Sequence, residues 1–159
     1  MGSPRLKVGL DTSFLVPLFS VEHEFHEPTS MEWDRLRRAN ALFVVPCHAL
    51  LECFAVLTRM PAPYRIAQEE MERLLIESFA KDAEIPLVLP QTVWSSIRSL
   101  VSTRLVGGKV YDAVIAQSAL DAGAAVLLTW NTKDLLPVAP SGLEVATPSD
   151  YAARSSRAH

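Results

Sequence analysis

Three carboxylates stand where a parallel sheet would present them to a ligand. Asp11 closes the apolar run Leu6 to Leu10. Glu52 is the lone charged residue among eight apolar neighbours from Ala49 to Leu57. Asp112 opens a helix that follows Gly107-Gly108. Asn131 and Asp134 come directly after another apolar run, Ala124 to Thr129, and add an amide and a further carboxylate. Like charges brought together raise one another's pKa values, and a divalent cation removes the conflict. Hard oxygen donors with few competing His or Cys side chains suit Mg2+ or Mn2+ better than zinc. Magnesium keeps several waters and leaves room for a phosphate oxygen. Such a site suits phosphodiester hydrolysis by in-line attack of water, leaving a 5′-phosphate and a 3′-hydroxyl. His23, His26 and His48 form no pair suited to metal-free attack by a ribose 2′-oxygen, and they read as loop or surface residues.

Each acidic position also has a plainer reading. Asp11 could simply cap a helix, although Ser13 could cap equally well and leave Asp11 facing the sheet rim. Glu52 could point to solvent or pair with Arg59, but Arg59 lies two turns on, and helical neighbours are three or four residues apart. A carboxylate at position 112 gains roughly 0.3–1 kcal/mol from the helix dipole whatever its function. Asn131 could cap a short helix that Asp134 then supports. Ser13 either caps or positions a water. No single position is decisive. The shared placement, at strand ends and helix starts of distant segments, is the signal, because open parallel sheets bind ligands beyond their carboxyl ends.

The elements that would position these groups alternate. Strands are expected at Leu6 to Leu10, Ala41 to Val45, Leu87 to Leu89, Ala124 to Thr129 and Leu143 to Ala146. Helices are expected at Phe14 to Phe19, from Thr29-Ser30 to Arg37, His48 to Arg59, Ala67 to Ala80, Thr92 to Leu105 and Val110 to Ala122, with a helical turn at Asn131 to Leu135. Pro46 suits a helix start and Gly123 a helix end. Alternating strands and helices imply an α/β fold: a three-layer α/β/α sandwich around a mainly parallel sheet of four to five strands. Residues 1–152 read as one domain, and 153–159 as a flexible tail. Met1 to Pro4 read as native or as an appended remnant.

The 159 residues suffice for one core without disulfides. Cys47 and Cys53 sit in one apolar helical segment with no zinc spacing, and read as buried side chains in a reducing cytoplasm. No run approaches a membrane span, and the N-terminal apolar run is broken by Asp11, unlike a signal peptide. The formal net charge is −3, which does not advertise nucleic-acid binding. A cation held by the acidic cluster would reverse that locally. Trp33, Arg35 and Arg37 could grip RNA, bind a protein partner or second subunit, or be a core Trp beside a solvated face.

The same residues resemble a known family. Leu10-Asp11-Thr12-Ser13-Phe14-Leu15-Val16 looks like the opening motif of PIN domains. Glu52 matches the second acidic position, Tyr111-Asp112-Ala113-Val114-Ile115-Ala116 the third, and Thr129-Trp130-Asn131-Thr132-Lys133-Asp134-Leu135 the fourth block. Leu143 to Pro148 is similar to the closing strand. The blocks fall in the family's order from Leu6 to Tyr151. The size is similar to that of VapC toxins. The resemblance implies a Mg2+-dependent endoribonuclease with Asp11, Glu52 and Asp112 as metal ligands, and Asn131 and Asp134 as further catalytic positions. It also implies a homodimer, a VapB-type antitoxin partner, and structured RNA such as transfer or ribosomal RNA as substrate. Asn131 departs from the Asp often found there. An amide adds no charge, and Asp134 could compensate.

Two other classes fit some residues. A phosphatase of the haloacid dehalogenase type would use Asp11 as a covalent nucleophile, but it wants a second acid where Ser13 stands. A PIN-like RNA- or protein-binding module would have lost its acidic set, and only Asn131 points that way.

Overall fold

The structure is a computed structural model that describes residues 5–157. The reading of Met1 to Pro4 falls outside the described residues. Five strands, β1 (Lys7–Leu10), β2 (Leu42–Val44), β3 (Ala83–Glu84), β4 (Val126–Leu128) and β5 (Glu144–Ala146), form one sheet in the order β3-β2-β1-β4-β5. Every pairing is parallel; Gly9, for example, stands opposite Val44 on one side and Leu127 on the other.

The helices are α1 (Thr12–Phe19), α2 (His26–Arg38), α3 (Cys47–Arg59), α4 (Gln68–Phe79), α5 (Pro90–Thr103), α6 (Lys109–Asp121), α7 (Thr132–Leu135) and α8 (Pro148–Arg157). The crossovers β1–β2 and β2–β3 step toward one edge, and β3–β4 returns past β1. Right-handed crossovers therefore put α1 to α4 on one face and α5 and α6 on the other. The sheet is covered on both sides, as its strands require: Val8, Leu10, Val44, Leu127 and Leu128 are fully buried. On the α2 side, Trp33 stacks on Phe43 with ring centroids 4.2 Å apart and meets Phe79 edge-on. Trp33 is therefore core. Arg35 lies along the same helix and makes two bonds, of 2.7 and 2.6 Å, to the carboxylate of the buried Glu32. Cys53 is wholly buried and burial pushes its thiol up to about 12, while Cys47 is half-buried.

Gly9 marks a close approach of α6 to the sheet. A Cβ there would come within 3.0 Å of Leu127 Cδ1 and 3.2 Å of Ala119 Cβ on α6. A methyl group there would require Leu127 or α6 to give by a few tenths of an ångström.

Three expectations about the elements are corrected. Leu87 to Leu89 is not a strand; Leu87 is 76% exposed, and the third strand is the short pair Ala83–Glu84. Its edge position is secured by bonding of Val45 N to Glu84 O and by an ion pair between Lys7 and Glu84 at 2.7 Å. Helix α2 begins at His26 rather than after Thr29-Ser30. Pro28 is tolerated there because the first turn needs no amide donors. Thr29 instead lies buried within the helix and donates through Oγ1 to Phe25 O at 2.6 Å. Finally, the segment read as a flexible tail is helical through Arg157. Tyr151 packs on the core from α8, and Arg154 pairs with Glu144 at 2.6 Å.

Candidate active site

The chain direction across the sheet reverses between β1 and β4, and the crevice beyond their carboxyl ends is where such sheets take ligands. Here that crevice is a cavity of about 410 Å³, and Asp11, Glu52, Asp112 and Asn131 all line it. Four segments far apart in sequence thus meet at one edge.

Asp11 leaves β1 in extended conformation (φ −83°, ψ 163°) and is the N-cap of α1. The sequence left capping by Asp11 and by Ser13 as alternatives. The structure gives the cap to Asp11 and still places it in the cleft. Its Oδ2 accepts from Ser13 N at 3.2 Å, Ser13 Oγ at 2.8 Å and Thr129 Oγ1 at 2.8 Å. Ser13 Oγ and Thr129 Oγ1 also lie 2.8 Å apart. Two hydroxyl hydrogens cannot fill three short oxygen contacts, so with Asp11 ionised both are spent on Oδ2. The hydroxyl oxygens in turn accept from Trp130 N at 2.8 Å and Asn131 N at 2.9 Å. Burial still outweighs these donors and holds the Asp11 carboxyl above its ordinary value.

Asp112, half-buried in the first turn of α6, is pushed up to about 6, first by burial and next by the charge of Asp11. Lys109 opposes the shift, while Asp134 and Glu52 add to it. Glu52 is exposed rather than buried. It faces the cleft from α3, and Thr12 Oγ1 donates to its Oε2 at 2.7 Å. Asn131 lines the cleft and donates from Nδ2 to Asp134 Oδ2 at 2.8 Å. Asp134 is not part of the lining. Lys109 forms an ion pair with it and lowers its pKa, and the same ammonium lies 3.9 Å from Asp112 Oδ2.

Among the described residues, no three Asp, Glu, His or Cys side chains close into a ready ligand shell. The cluster is open, with Glu52 tied to Thr12 and Asp134 tied to Lys109. In donor chemistry it nevertheless suits a hard cation. Asp11, Glu52, Asp112 and Asn131 bring oxygen donors to one cavity, and after burial the charge of Asp11 is the main contribution to the raised Asp112 pKa.

Sequence reasoning missed several residues here. Thr129 was counted within a strand, although it is the first polar residue past β4 and is fully buried against Asp11. His23, Phe25 and Trp130 line the cleft. His23 sits in the loop as expected, yet it faces the site. His26 and His48 lie apart from the lining: His26 bonds Pro17 O at 2.7 Å, and His48 stacks on Tyr111 with ring centroids 4.8 Å apart.

Comparison with known proteins agrees with this architecture. A model of the PIN domain matches residues 8–136. Ribonuclease VapC27 of Mycobacterium tuberculosis is 36% identical over 115 residues, covering 72% of this chain and 77% of that one. Ribonuclease VapC40 of the same species is 33% identical over 129 residues, covering 80% and 87%. Among solved structures, VapC20 of M. tuberculosis, described as a sarcin-ricin loop cleaving toxin, superposes with a TM-score of 0.64 at 14% identity, covering 80% of this chain and 92% of that one. VapBC2 of Rickettsia felis, bound to a DNA fragment from its promoter, gives 0.65 at 17% identity, covering 89% and 98%. The matched span runs from β1 through the block carrying Asn131 and Asp134, and the relatives that share it are VapC proteins, so this chain belongs to the PIN-domain family and, within it, to the VapC group.

Proposed function

We propose that this chain is a Mg2+-dependent endoribonuclease, the toxin half of a VapBC-type pair. The observation that carries the reading is the convergence of Asp11, Glu52 and Asp112 on one cavity at the switch point of the sheet. Asp11 and Asp112 would hold the cation, with Glu52 as the exposed third donor. A bound Mg2+ (or Mn2+) supplies Lewis acidity toward a phosphoryl oxygen and a lowered water pKa.

The protein's own groups prepare the place. Ser13 and Thr129 fix Asp11 by binding Oδ2, so its orientation costs nothing when ligand arrives. The N-terminus of α6 supplies positive potential beside Asp112 and favours a phosphate there. Asn131 keeps its amide on Asp134, which Lys109 neutralises, so the fourth position orients a neighbour and adds no charge to the cleft.

The relatives named ribonucleases support RNA as substrate, with structured RNA such as transfer or ribosomal RNA the class expected. Structures solved as VapBC and FitAB assemblies support a VapB-type antitoxin as partner. A homodimer would cover an apolar stripe on α5, where Trp94 is 60% and Val101 74% exposed. Among the described residues no helix is long and apolar enough to cross a membrane, and a toxin acting on cellular RNA works in the cytoplasm.

The test is incubation of RNA with the protein and Mg2+, Mn2+ or chelator. Cleavage with either cation and none with chelator is expected. Cleavage that survives chelation rejects the metal-dependent reading. Release of phosphate from small esters without RNA cleavage favours a phosphatase, and RNA binding without cleavage favours a binding module.

A further inference from the structure

Lys109 stands where a helix does not favour it. It is the first residue of α6, and a cation in the opening turn opposes the helix dipole. Gly108, the N-cap residue, has no side chain to offset that repulsion. The lysine therefore does not serve α6 itself.

What holds it is a pair of carboxylates. Lys109 and Asp112 are three residues apart, so both project from one face of α6, and the ammonium lies 3.9 Å from Asp112 Oδ2. The same Nζ forms an ion pair with Asp134 Oδ1 on α7. One ammonium thus bridges two acids from different helices, one lining the cavity and one outside the lining. It lowers the pKa of Asp134 and opposes the burial and repulsion that raise that of Asp112. Favouring the ionised form of two carboxylates at once is what a bound cation does.

The other donors of this corner are engaged as well. Asn131 directs Nδ2 to Asp134 Oδ2, so both oxygens of Asp134 have partners. The Asp11 side of the cleft differs. Among the described residues no ion pair reaches Asp11 or Glu52. Negative charge is therefore compensated on the Asp134 side of Asp112 and left uncompensated on the Asp11 side.

Where phosphodiester-cleaving sites hold two divalent ions, these lie roughly 3.5–4 Å apart. Here a second ion next to Asp112 would meet an ammonium at that same range, and like charges at such separations repel strongly in a partly buried site. We propose, resting on the metal-dependent reading above, that Lys109 is a tethered cation that takes the place of a second divalent ion, so that this cleft loads one Mg2+ per chain. A plain ion pair between α6 and α7 would show the same contacts and contribute little. The two differ in what removal of the positive charge does to cation loading.

The test counts ions. The full-length chain is titrated with Mn2+ at about pH 7.5, above the value of about 6 for Asp112, and free Mn2+ is read from its paramagnetic resonance. Ions of the cleft are those lost in Asp112→Asn. The parent is expected to hold one and Lys109→Gln two. Lys109→Arg keeps the charge and should hold one. Asp134→Asn breaks the ion pair but keeps the ammonium, and should also hold one. Circular dichroism establishes that each variant is folded, and Lys109→Met replaces Lys109→Gln if the latter is not.

Two ions in the parent overturn the proposal and leave the ribonuclease reading standing, as does one ion in the folded, uncharged variant. Two ions in Lys109→Arg or in Asp134→Asn, which both keep a cation in place, overturn it too and assign the effect to the ion pair as a staple. No ion in the parent sinks the metal-dependent reading with it.

Discussion

Thr129 Oγ1 lies 2.8 Å from Asp11 Oδ2, a hydrogen bond that spans 118 positions of the chain. Thr129 is fully buried, and it serves Asp11 as donor and Asn131 N as acceptor. Thr129→Val keeps the shape and removes both bonds. We expect a loss of roughly 1–3 kcal/mol in urea denaturation and a clear drop in RNA cleavage, with Thr129→Ser restoring most of each. Parent-like cleavage by Thr129→Val would show that Asp11 needs no such anchor.

Asp11→Ala and Asp112→Ala should both remove cleavage, but their effects on stability should differ. Residue types alone suggest that either change leaves stability unchanged or raised, because repulsion is relieved. The structure separates the two. Asp11 caps α1, so its loss costs about 1 kcal/mol of capping against the repulsion relieved. Asp112 takes its elevated pKa chiefly from burial and from Asp11, so Asp112→Ala should stabilise the metal-free protein. Thermal denaturation in chelator distinguishes them, and a more stable Asp11→Ala would rule out the cap as a significant contribution.

The Asp112 shift also fixes a pH dependence. Its carboxyl moves from 3.8 to about 6 on folding, so between those values the folded protein binds more protons than the unfolded one. Stability of the metal-free protein therefore falls as pH rises from about 4 to 6. Allowing for the side chain's partial exposure, the loss is ~1–2 kcal/mol. Urea midpoints at pH 4.5, near the lower end of that window, and at pH 7, about a unit above it, measure the greater part of the loss in chelator. Asp112→Asn should flatten the dependence, as should saturating Mg2+. An undiminished slope in Asp112→Asn would assign it to other groups.

Asn131→Asp tests the fourth position. Chemistry at the level of residue type expects an added carboxylate to preserve or increase affinity for the cation. The structure adds a cost, since Asn131 Nδ2 donates to Asp134 Oδ2 at 2.8 Å, and Asp in its place would set two carboxylates against each other. We expect lower stability in chelator and a larger Mg2+-induced rise in Tm than in the parent. A variant equally stable without metal would mean that the amide bond to Asp134 contributes little.

The parts of the fold that bury apolar residues on a regular period were legible in the sequence. β1, β2, β4 and β5 fall inside the expected runs, and Asp11, Glu52, Asp112 and Asn131 share a cleft because strand ends and helix starts dictate where polar residues can face. β3 was not legible, because a two-residue edge strand has no period, while the Pro-bounded run Leu87 to Leu89 mimics a strand yet stays exposed. The start of α2 was obscured by Pro28 and Thr29. The first is allowed in an opening turn, and the second was spent on Trp130 rather than on a cap. That contact, like the bond from Thr129 to Asp11, joins residues with no local relation in the chain. The same reason hid the stacking of Phe25 on Trp130, since two aromatics 105 positions apart by their numbers carry no sign of it.

Gly9 carries a consequence at a distance from the cleft. Helix α6 rests against it through Ala119, and Asp112 stands near the other end of that helix. A methyl group at position 9 would act as a small wedge: where α6 rather than Leu127 gives, Ala119 is pushed from the sheet and the far end of the helix, with Asp112, shifts relative to Asp11. Gly9→Ala should thus blunt RNA cleavage with every acidic residue still in place. Cleavage by Gly9→Ala equal to the parent's would show that Leu127, not α6, yields to the added methyl.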